Sequence, residues 1–381
     1  MYHLYYPERD TTLYERYPAK NTGIDPILDL IKHASGSLFE RQIQGANYNS
    51  RFLLDFGSQI TAIRNAIAAG DIPPIGLKSQ NSASVYLNIR AAQATDLPIN
   101  YTIYAFPVSE SWTNGNGRFD NVPDISNGAS WYYRDNNNQA TFWKTGSAHS
   151  KNDFSNTTTL GGGTWITGSG FEASQSFTYE EPDVRMDVTN IVKRWVDGTI
   201  PNHGFIIKRS KADENSYDVL GTVSFYGLDT HTIYIPRLEV AWNDSILTGT
   251  GSKSEISDNI FVPYITNIRN EYRESERAVF RIGARPEFPI RTYAISSNYL
   301  IDYRLPTSSY YSIQDAVTME TIIPFDTDAT QISCDDKGSF FKLRLNTFQP
   351  ERYYKIVLKV EREGGDDIQV FSEGFYFKVV R

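Results

Sequence analysis

A two-residue rhythm in the last third of the chain limits the fold more than any other feature of the sequence. In "SFFKLRLNTF" (339–348), Phe341, Leu343 and Leu345 alternate with Lys342, Arg344 and Asn346. In "YYKIVLKVE" (353–361), Ile356, Leu358 and Val360 alternate with Val357, Lys359 and Glu361. "FYFKVV" (375–380) places Phe375, Phe377 and Val379 on one face. Successive side chains of a strand point to opposite faces, so this period predicts strands with one face turned to a core. "FVPYITNI", "AVFRIGA" and "METIIPF" extend the series through residues 259–381. Turn residues separate the segments at the spacing of an antiparallel sandwich.

The earlier part of the chain reads mostly as strand and turn. "SRFLLDF" (50–56), "ASVYLNIRA" (83–91), "PINYTIYAF" (98–106), "GFIIKR" (204–209), "TVSFYG" (222–227) and "PRLEVAW" (236–242) are predicted strands. Two segments carry helical spacing instead. Ile60, Ile63 and Ile67 share one face of 58–70, with Ser58 placed to cap the start and Gly70 the end. Val188, Ile191, Val192 and Trp195 follow the i, i+3, i+4, i+7 pattern, with Asp187 or Thr189 at the N-terminal end and Gly198 after the last turn. Between these helices, residues 109–173 are rich in Gly, Asn, Ser and Asp and hold four of the six tryptophans: Trp112, Trp131, Trp143 and Trp165. So many large aromatics predict a packed cover of loops. The small, polar stretch "SILTGTGSKSEISD" (245–258) has the composition of a linker. It divides the chain into 1–244 and 259–381. No fixed-period repeat occurs.

Composition narrows the function classes. Hydrophobic residues make up 40% of the 381, enough for a sizeable core, and the aromatic share of 14% favours strands. The net charge of -8 argues against a nucleic-acid or anionic-membrane partner, which needs a basic face. A single cysteine, Cys334, permits no internal disulfide. "MYHLYYPERD" lacks the pattern of a secretory signal, and no apolar run approaches the ~18 residues of a membrane span. Glycosylation-type triplets at Asn100, Asn156 and Asn243 therefore carry no expectation of use.

Catalytic and metal-binding patterns are weak. His3, His33, His149, His203 and His231 show no metal-ligand spacing, and Cys334 has no CxxC partner. "GGGTW" (161–165) lacks the ending of a phosphate cradle and reads as a tight turn before a strand. No GxSxG occurs, and a lone acid such as Glu110 beside Trp112 does not define a carboxylate pair. The oxygen-rich "RDNNNQ" (134–139) and "KADENSYD" (211–218) match solvated loops; calcium is the only cofactor with any ligands to consider there. The tryptophan-rich loops have two readings. The common fate of Trp is packing, and the rival is a sugar platform formed by Trp112, Trp131 and Trp143. The tyrosines of "MYHLYYPE", Tyr2, Tyr5 and Tyr6, mark either a docking arm or a frayed terminus.

Several motifs in chain order resemble the DNRLRE domain, a jelly-roll β-sandwich also classed with carbohydrate-binding modules. These are "YPAKNTGIDPILDL" (17–30), "SRFLLDFG", "ASVYLNI", "SESWTNGNG", "DVTNIVKRWVDGTIPNHGFIIK" (187–208) and "RLEVAWND". The likeness covers about residues 10–244. It departs in having Asp55 before Phe56, where the family has Phe-Asp, and in a longer Asn/Gly-rich loop region. Residues 265–293, 310–326 and 349–360 resemble virion proteins of contractile-tailed bacteriophages, especially those of marine cyanobacteria. The two resemblances imply an all-β chain: a jelly-roll β-sandwich with two short helices, then an immunoglobulin-like β-sandwich. They imply a non-enzymatic virion structural protein, assembled in the host cytoplasm in many symmetric copies. It would join or decorate neighbouring virion subunits, with tail, baseplate or neck preferred over capsid. The alternative is a carbohydrate-binding module for host-surface glycan. The helix at 188–197 would then be architectural, an apolar plug in the open end of the sandwich.

Overall fold

The computed structural model describes residues 1–34, 47–76, 81–137, 139–143, 161–178, 181–248, 253–289, 301–362, 366–372 and 374–381. Parts of the expected linker, of "RDNNNQ" and of the 265–293 segment, with Asn156 and His149, lie outside the described residues. The architecture is all-β and sandwich-like, with three short α-helices among the described residues. The N-terminal strands are β1 (Tyr2–Tyr5), β2 (Arg9–Tyr14), β3 (Ile27–Ala34), β4 (Asn47–Asp55), β5 (Ser84–Ile89), β6 (Ala91–Thr95), β7 (Asn100–Pro107), β8 (Tyr133–Asp135), β9 (Thr141–Phe142), β10 (Ala173–Thr178), β11 (Val184–Asp187), β12 (Phe205–Arg209), β13 (Gly221–Tyr226) and β14 (Arg237–Ala241). The helices are α1 (Gly57–Ala68), α2 (Thr189–Val196) and α3 (Lys211–Asn215). The chain continues through β15 (Phe261–Ile265), β16 (Glu271–Arg273), β17 (Arg277–Pro286), β18 (Ser309–Asp315), β19 (Thr321–Ile323), β20 (Ser333–Asp335), β21 (Gly338–Arg344), β22 (Arg352–Arg362), β23 (Asp367–Phe371) and β24 (Tyr376–Val380).

Two compact units share the chain. One comprises Tyr5–Leu77 and Ala83–Glu239; the other comprises Met1–Leu4 and Val240–Arg381, with a short stretch ending at Ser82. The division falls within β14, a few residues ahead of the predicted linker. It assigns Met1–Leu4 to the C-terminal unit.

The large sheet of the N-terminal unit runs β10-β7-β12-β4-β3-β13-β6, with β2 also paired to β4. Its central strands are buried on both faces: Phe52, Leu53 and Leu54 in β4, and Phe205, Ile206 and Ile207 in β12. Continuous apolar triplets such as "FLL" and "FII" are the sequence form of such strands. A second sheet holds β14, β5 and β11 side by side in that order. Val85, Leu87 and Ile89 of β5 are all buried.

Both predicted helices form. In α2 the side chains of Ile191, Val192 and Trp195 are buried, and Val188 just before it is buried too. The Trp195 ring meets Phe205 edge-on at 4.5 Å. The Asp187 carboxylate accepts from the Thr189 N–H at 2.9 Å, and Gly198 takes the positive φ that ends the helix. The start of α1 differs from expectation. Ser58 does not cap it; the Glu8 carboxylate, distant in sequence, accepts from the Ser58 N–H at 3.0 Å. "KADEN", expected as loop, forms α3, because Ser210 accepts from the Asp213 N–H and caps a single turn.

In the C-terminal unit one sheet runs β15-β17-β21-β20 and the other β16-β24-β22-β18-β19, with β23 also paired to β22. The predicted alternation holds along β21 and β24, where Phe341, Leu343, Phe377 and Val379 are buried. An aromatic core follows from it: Phe280 stacks on Phe341 at 5.1 Å, and Tyr311 on Phe341 at 4.2 Å. The strand predicted to run to Phe348 stops at Arg344, and Leu345–Thr347 form a 3-10 turn. Neither a docking arm nor a frayed end describes the first residues. Tyr2 and Tyr5 lie in β1 and are buried, and Tyr6 is half-buried. The Tyr2 hydroxyl donates to Asp326 at 3.3 Å.

Candidate functional site

The described residues of the insertion at 109–173 cover the outer face of the large N-terminal sheet. Register fixes which side chains point outward there. Leu13 pairs with Arg51, Leu53 with Ile206, Ile206 with Phe106, and Lys208 with Tyr104. Against that row pack Trp112, Trp131, Trp143 and Trp165, with Val108 and Ala129, as one apolar cluster. Trp112, Trp131 and Trp143 are only 2%, 1% and 3% exposed. Two of their indole N–H groups are also spent inside: Trp112 donates to the His203 carbonyl and Trp143 to the Ser130 carbonyl, each at 2.9 Å. The sugar platform read from these three residues is therefore corrected. Their ring faces form a second core beneath the loops, with no open face for a ligand.

Charge is sealed inside this layer. The Arg51 guanidinium lies between two indoles, 5.1 Å from the Trp131 ring and 5.0 Å from Trp165. Its Nε and Nη2 donate to the two Glu214 oxygens at 2.9 and 2.8 Å. The Lys208 ammonium reaches the same carboxylate at 2.8 Å and sits 5.4 Å from the Trp165 ring. Burial alone would push the Glu214 carboxyl up, but Arg51 and Lys208 outweigh it and hold it below the usual range. Arg51 Nη1 also donates to the Gly162 carbonyl at 2.7 Å. That contact explains the triple glycine. Gly161, Gly162 and Gly163 all have positive φ, and a Cβ on Gly161 would fall 2.1 Å from the Trp131 carbonyl oxygen. The turn lets the backbone pass closely over Trp131 before Trp165.

Beside this sealed group opens a cavity of about 310 Å³, lined by Tyr104, Phe106, Trp165, Thr167, Glu172, Lys208, Arg209, Ser210 and Lys211. The Tyr104 and Phe106 rings lie nearly parallel, 10° apart, with centroids 6.1 Å apart. The Trp165 ring adjoins Phe106, also at 6.1 Å. Thr167, Glu172 and Lys211 add a hydroxyl-bearing, an acidic and a basic residue to the lining. The Arg209 side chain alternates to the opposite face of β12 from Lys208, where it donates to the Leu220 carbonyl at 2.9 Å.

The sequence reading missed Tyr104, Phe106, Arg51, Lys208 and Glu214. A signal was present for the first two: "YTIYAF" alternates, so Tyr104 and Phe106 share a face. Nothing local links Arg51 to Glu214, which are 163 residues apart. As for calcium, among the described residues no group of three or more His, Cys, Asp or Glu side chains is arranged to hold a metal ion. Within the two stretches considered, Glu214 is committed to Arg51 and Lys208. Asp135 accepts from the Thr113 hydroxyl at 2.9 Å and the Asn137 N–H at 3.0 Å.

No family model matches the chain, and no curated protein matches it. Among solved structures, the adhesin domain of Epf from Streptococcus pyogenes is similar at a TM-score of 0.17 and 6% identity, over 88% of this chain and 73% of that one. A Parabacteroides merdae beta-glucuronidase is similar at a TM-score of 0.15 and 9% identity, over 79% of this chain and 29% of that one. Likenesses this faint carry no weight for fold or function.

Proposed function

We propose that the chain is a non-enzymatic structural protein of a bacteriophage virion, associated with tail, baseplate or neck in preference to the capsid. A DNRLRE-like jelly roll would be followed by an immunoglobulin-like sandwich, and surfaces would carry the function. The observation that supports this best lies on the outer face of the C-terminal unit. Ile368 and Val370 of β23 are 54% and 55% exposed, and Tyr353 and Tyr376 beside them on the same sheet are 54% and 45% exposed. By register Ile368 and Val370 stand opposite Glu361 and Lys359, on the outward face of β22, and Tyr353 shares that face. Among the described residues β23 pairs with β22 alone, so its other edge can accept a partner's strand. Aromatic and aliphatic side chains grouped on one sheet face, with a lysine and glutamate row through them, have the mixture of a protein–protein contact. The charged side chains brought together in the N-terminal unit neutralise one another beneath the tryptophans, which is the behaviour of a scaffold.

Quantitative mass spectrometry of purified phage particles tests the reading. The chain is expected in fixed stoichiometry with other virion proteins, in multiples set by the particle's symmetry. Its absence from washed particles, with abundance only in the infected-cell lysate, would refute it.

A further inference from the structure

We infer that Lys355, on the open face of β22, is the recognition point for a carboxylate carried by a neighbouring protein subunit. The inference rests on the reading that this face is covered in an assembly, and it states what the covering partner must bring. Register sets the row. Lys355 stands opposite Gln314 of β18 on one side and opposite Tyr376 of β24 on the other, so the three side chains line up across three strands. Their chain neighbours Tyr354, Ile356 and Phe377 are buried in the core, which leaves the row on the outward face with Tyr353. Three lysines of β22 and β24 lie on that face, and two have their acids. Lys359 pairs with Glu361 at 2.7 Å and Lys378 with Glu351 at 2.6 Å. Lys355, set between them along the sheet, has no carboxylate partner among the described residues; its ammonium lies 5.9 Å from the Tyr376 ring. It alone of the three is buried, at 9% exposed.

A lysine in that position decides the chemistry of what covers it. A contact closed over an ammonium strips its remaining water, which is costly unless the partner brings an opposite charge. The flanking side chains suit the same group. Among the described residues neither the Gln314 amide nor the Tyr376 hydroxyl makes a hydrogen bond, and each can donate to an oxygen of a carboxylate that faces Lys355. Around the row, Tyr353, Ile368 and Val370 supply the aromatic and aliphatic surface of a protein contact. The charge count selects protein over nucleic acid. A phosphate backbone is tracked by a series of cations, and here Lys359 and Lys378 are already neutralised, which leaves one. The partner is thus a protein surface that sets an aspartate or glutamate among apolar residues.

The test is carbodiimide cross-linking of purified particles, which joins an amine to a carboxylate in contact with it by loss of water, followed by mass-spectrometric mapping and charge exchange. Lys355 is expected to be joined to an Asp or Glu of a neighbouring subunit. Lys355→Glu is expected to lower incorporation into particles ~10-fold or more, and replacement of the mapped acid by Lys to restore it. Lys355→Gln keeps most of the apolar stem and is expected to lower incorporation ~3-fold, with the urea midpoint of the purified chain unchanged. If Lys355→Glu does not fold, the cross-link and Lys355→Gln decide. Particles that contain the chain but show Lys355 joined to no carboxylate, or that take up the folded variants at the wild-type level, overturn the inference and leave the assembly reading standing. Particles that lack the chain overturn both, and its absence from the stoichiometry tells the two failures apart.

Discussion

The two units treat the outer faces of their sheets in opposite ways. In the N-terminal unit the outer face of β4, β12 and β7 is roofed by the chain's own tryptophans and sealed with Arg51, Lys208 and Glu214. In the C-terminal unit the outer face of β22 and its neighbour β23 keeps Ile368, Val370 and Tyr353 in solvent. Both faces carry aromatic and aliphatic side chains, so composition does not separate them. The difference is the long insertion, which supplies one face with a cover. An apolar face left open by its own chain is available to a partner, and the proposed assembly role rests on that contrast.

Breaking the covered side has the largest expected effect. Trp131→Ala removes a fully buried indole from the layer and is expected to cost about 3–5 kcal/mol, read as a lower urea midpoint for the N-terminal unit. Glu214→Gln comes close behind. It leaves Arg51 and Lys208 buried without their counter-charge, and loss of one partner of a buried ion pair costs roughly 3–5 kcal/mol. A drop below ~1 kcal/mol in either variant would mean that the cover is not a core.

A pH effect of intermediate size comes from Asp10, buried on β2 of the covered unit. Burial pushes its carboxyl up to about 7; the Leu228 amide opposes the rise, and Asp229 and Asp25 add to it. The folded form thus holds this proton more tightly than the unfolded chain. The stability it contributes is fully present below about pH 4 and is lost as pH rises through 7. Asp10→Asn should flatten that descent by up to ~1.4 kcal/mol per pH unit, measured as urea unfolding from pH 4.5 to 7.5. An unchanged slope would remove Asp10 from the account. The smallest effect belongs to the open side. Ile368→Ser with Val370→Ser should move unfolding by no more than about 0.5 kcal/mol, as exposed positions do. The same pair is expected to prevent incorporation into particles, which mass spectrometry of the virion would detect.

Much of this contrast is legible in the sequence. "FLL" and "FII" announce strands buried on both faces, while "SFFKLRL" and "FYFKVV" announce one-sided ones. The four tryptophans predict a packed cover. The apolar stripe of 188–195 predicts the helix beside Phe205, because helical spacing is set by neighbours in sequence. What the sequence hides is non-local. Ser58 is positioned to cap α1, but the Glu8 carboxylate arrives from another strand. "KADEN" has the composition of a loop, yet Ser210 and the pull of Arg51 on Glu214 make it a helical turn. β23 lacked a signal because its outward Ile368 and Val370 invert the usual polar-out pattern. That inversion is itself the mark of the open face.

Cryo-electron microscopy of the intact particle tests the central claim most directly. The account predicts that the tryptophan layer stays packed as a core. It also predicts that Ile368, Val370, Tyr353 and Tyr376 are buried against a neighbouring subunit in a contact of more than ~1,000 Å². A chain ordered in the particle with that face in solvent, and its contacts made elsewhere, would contradict it.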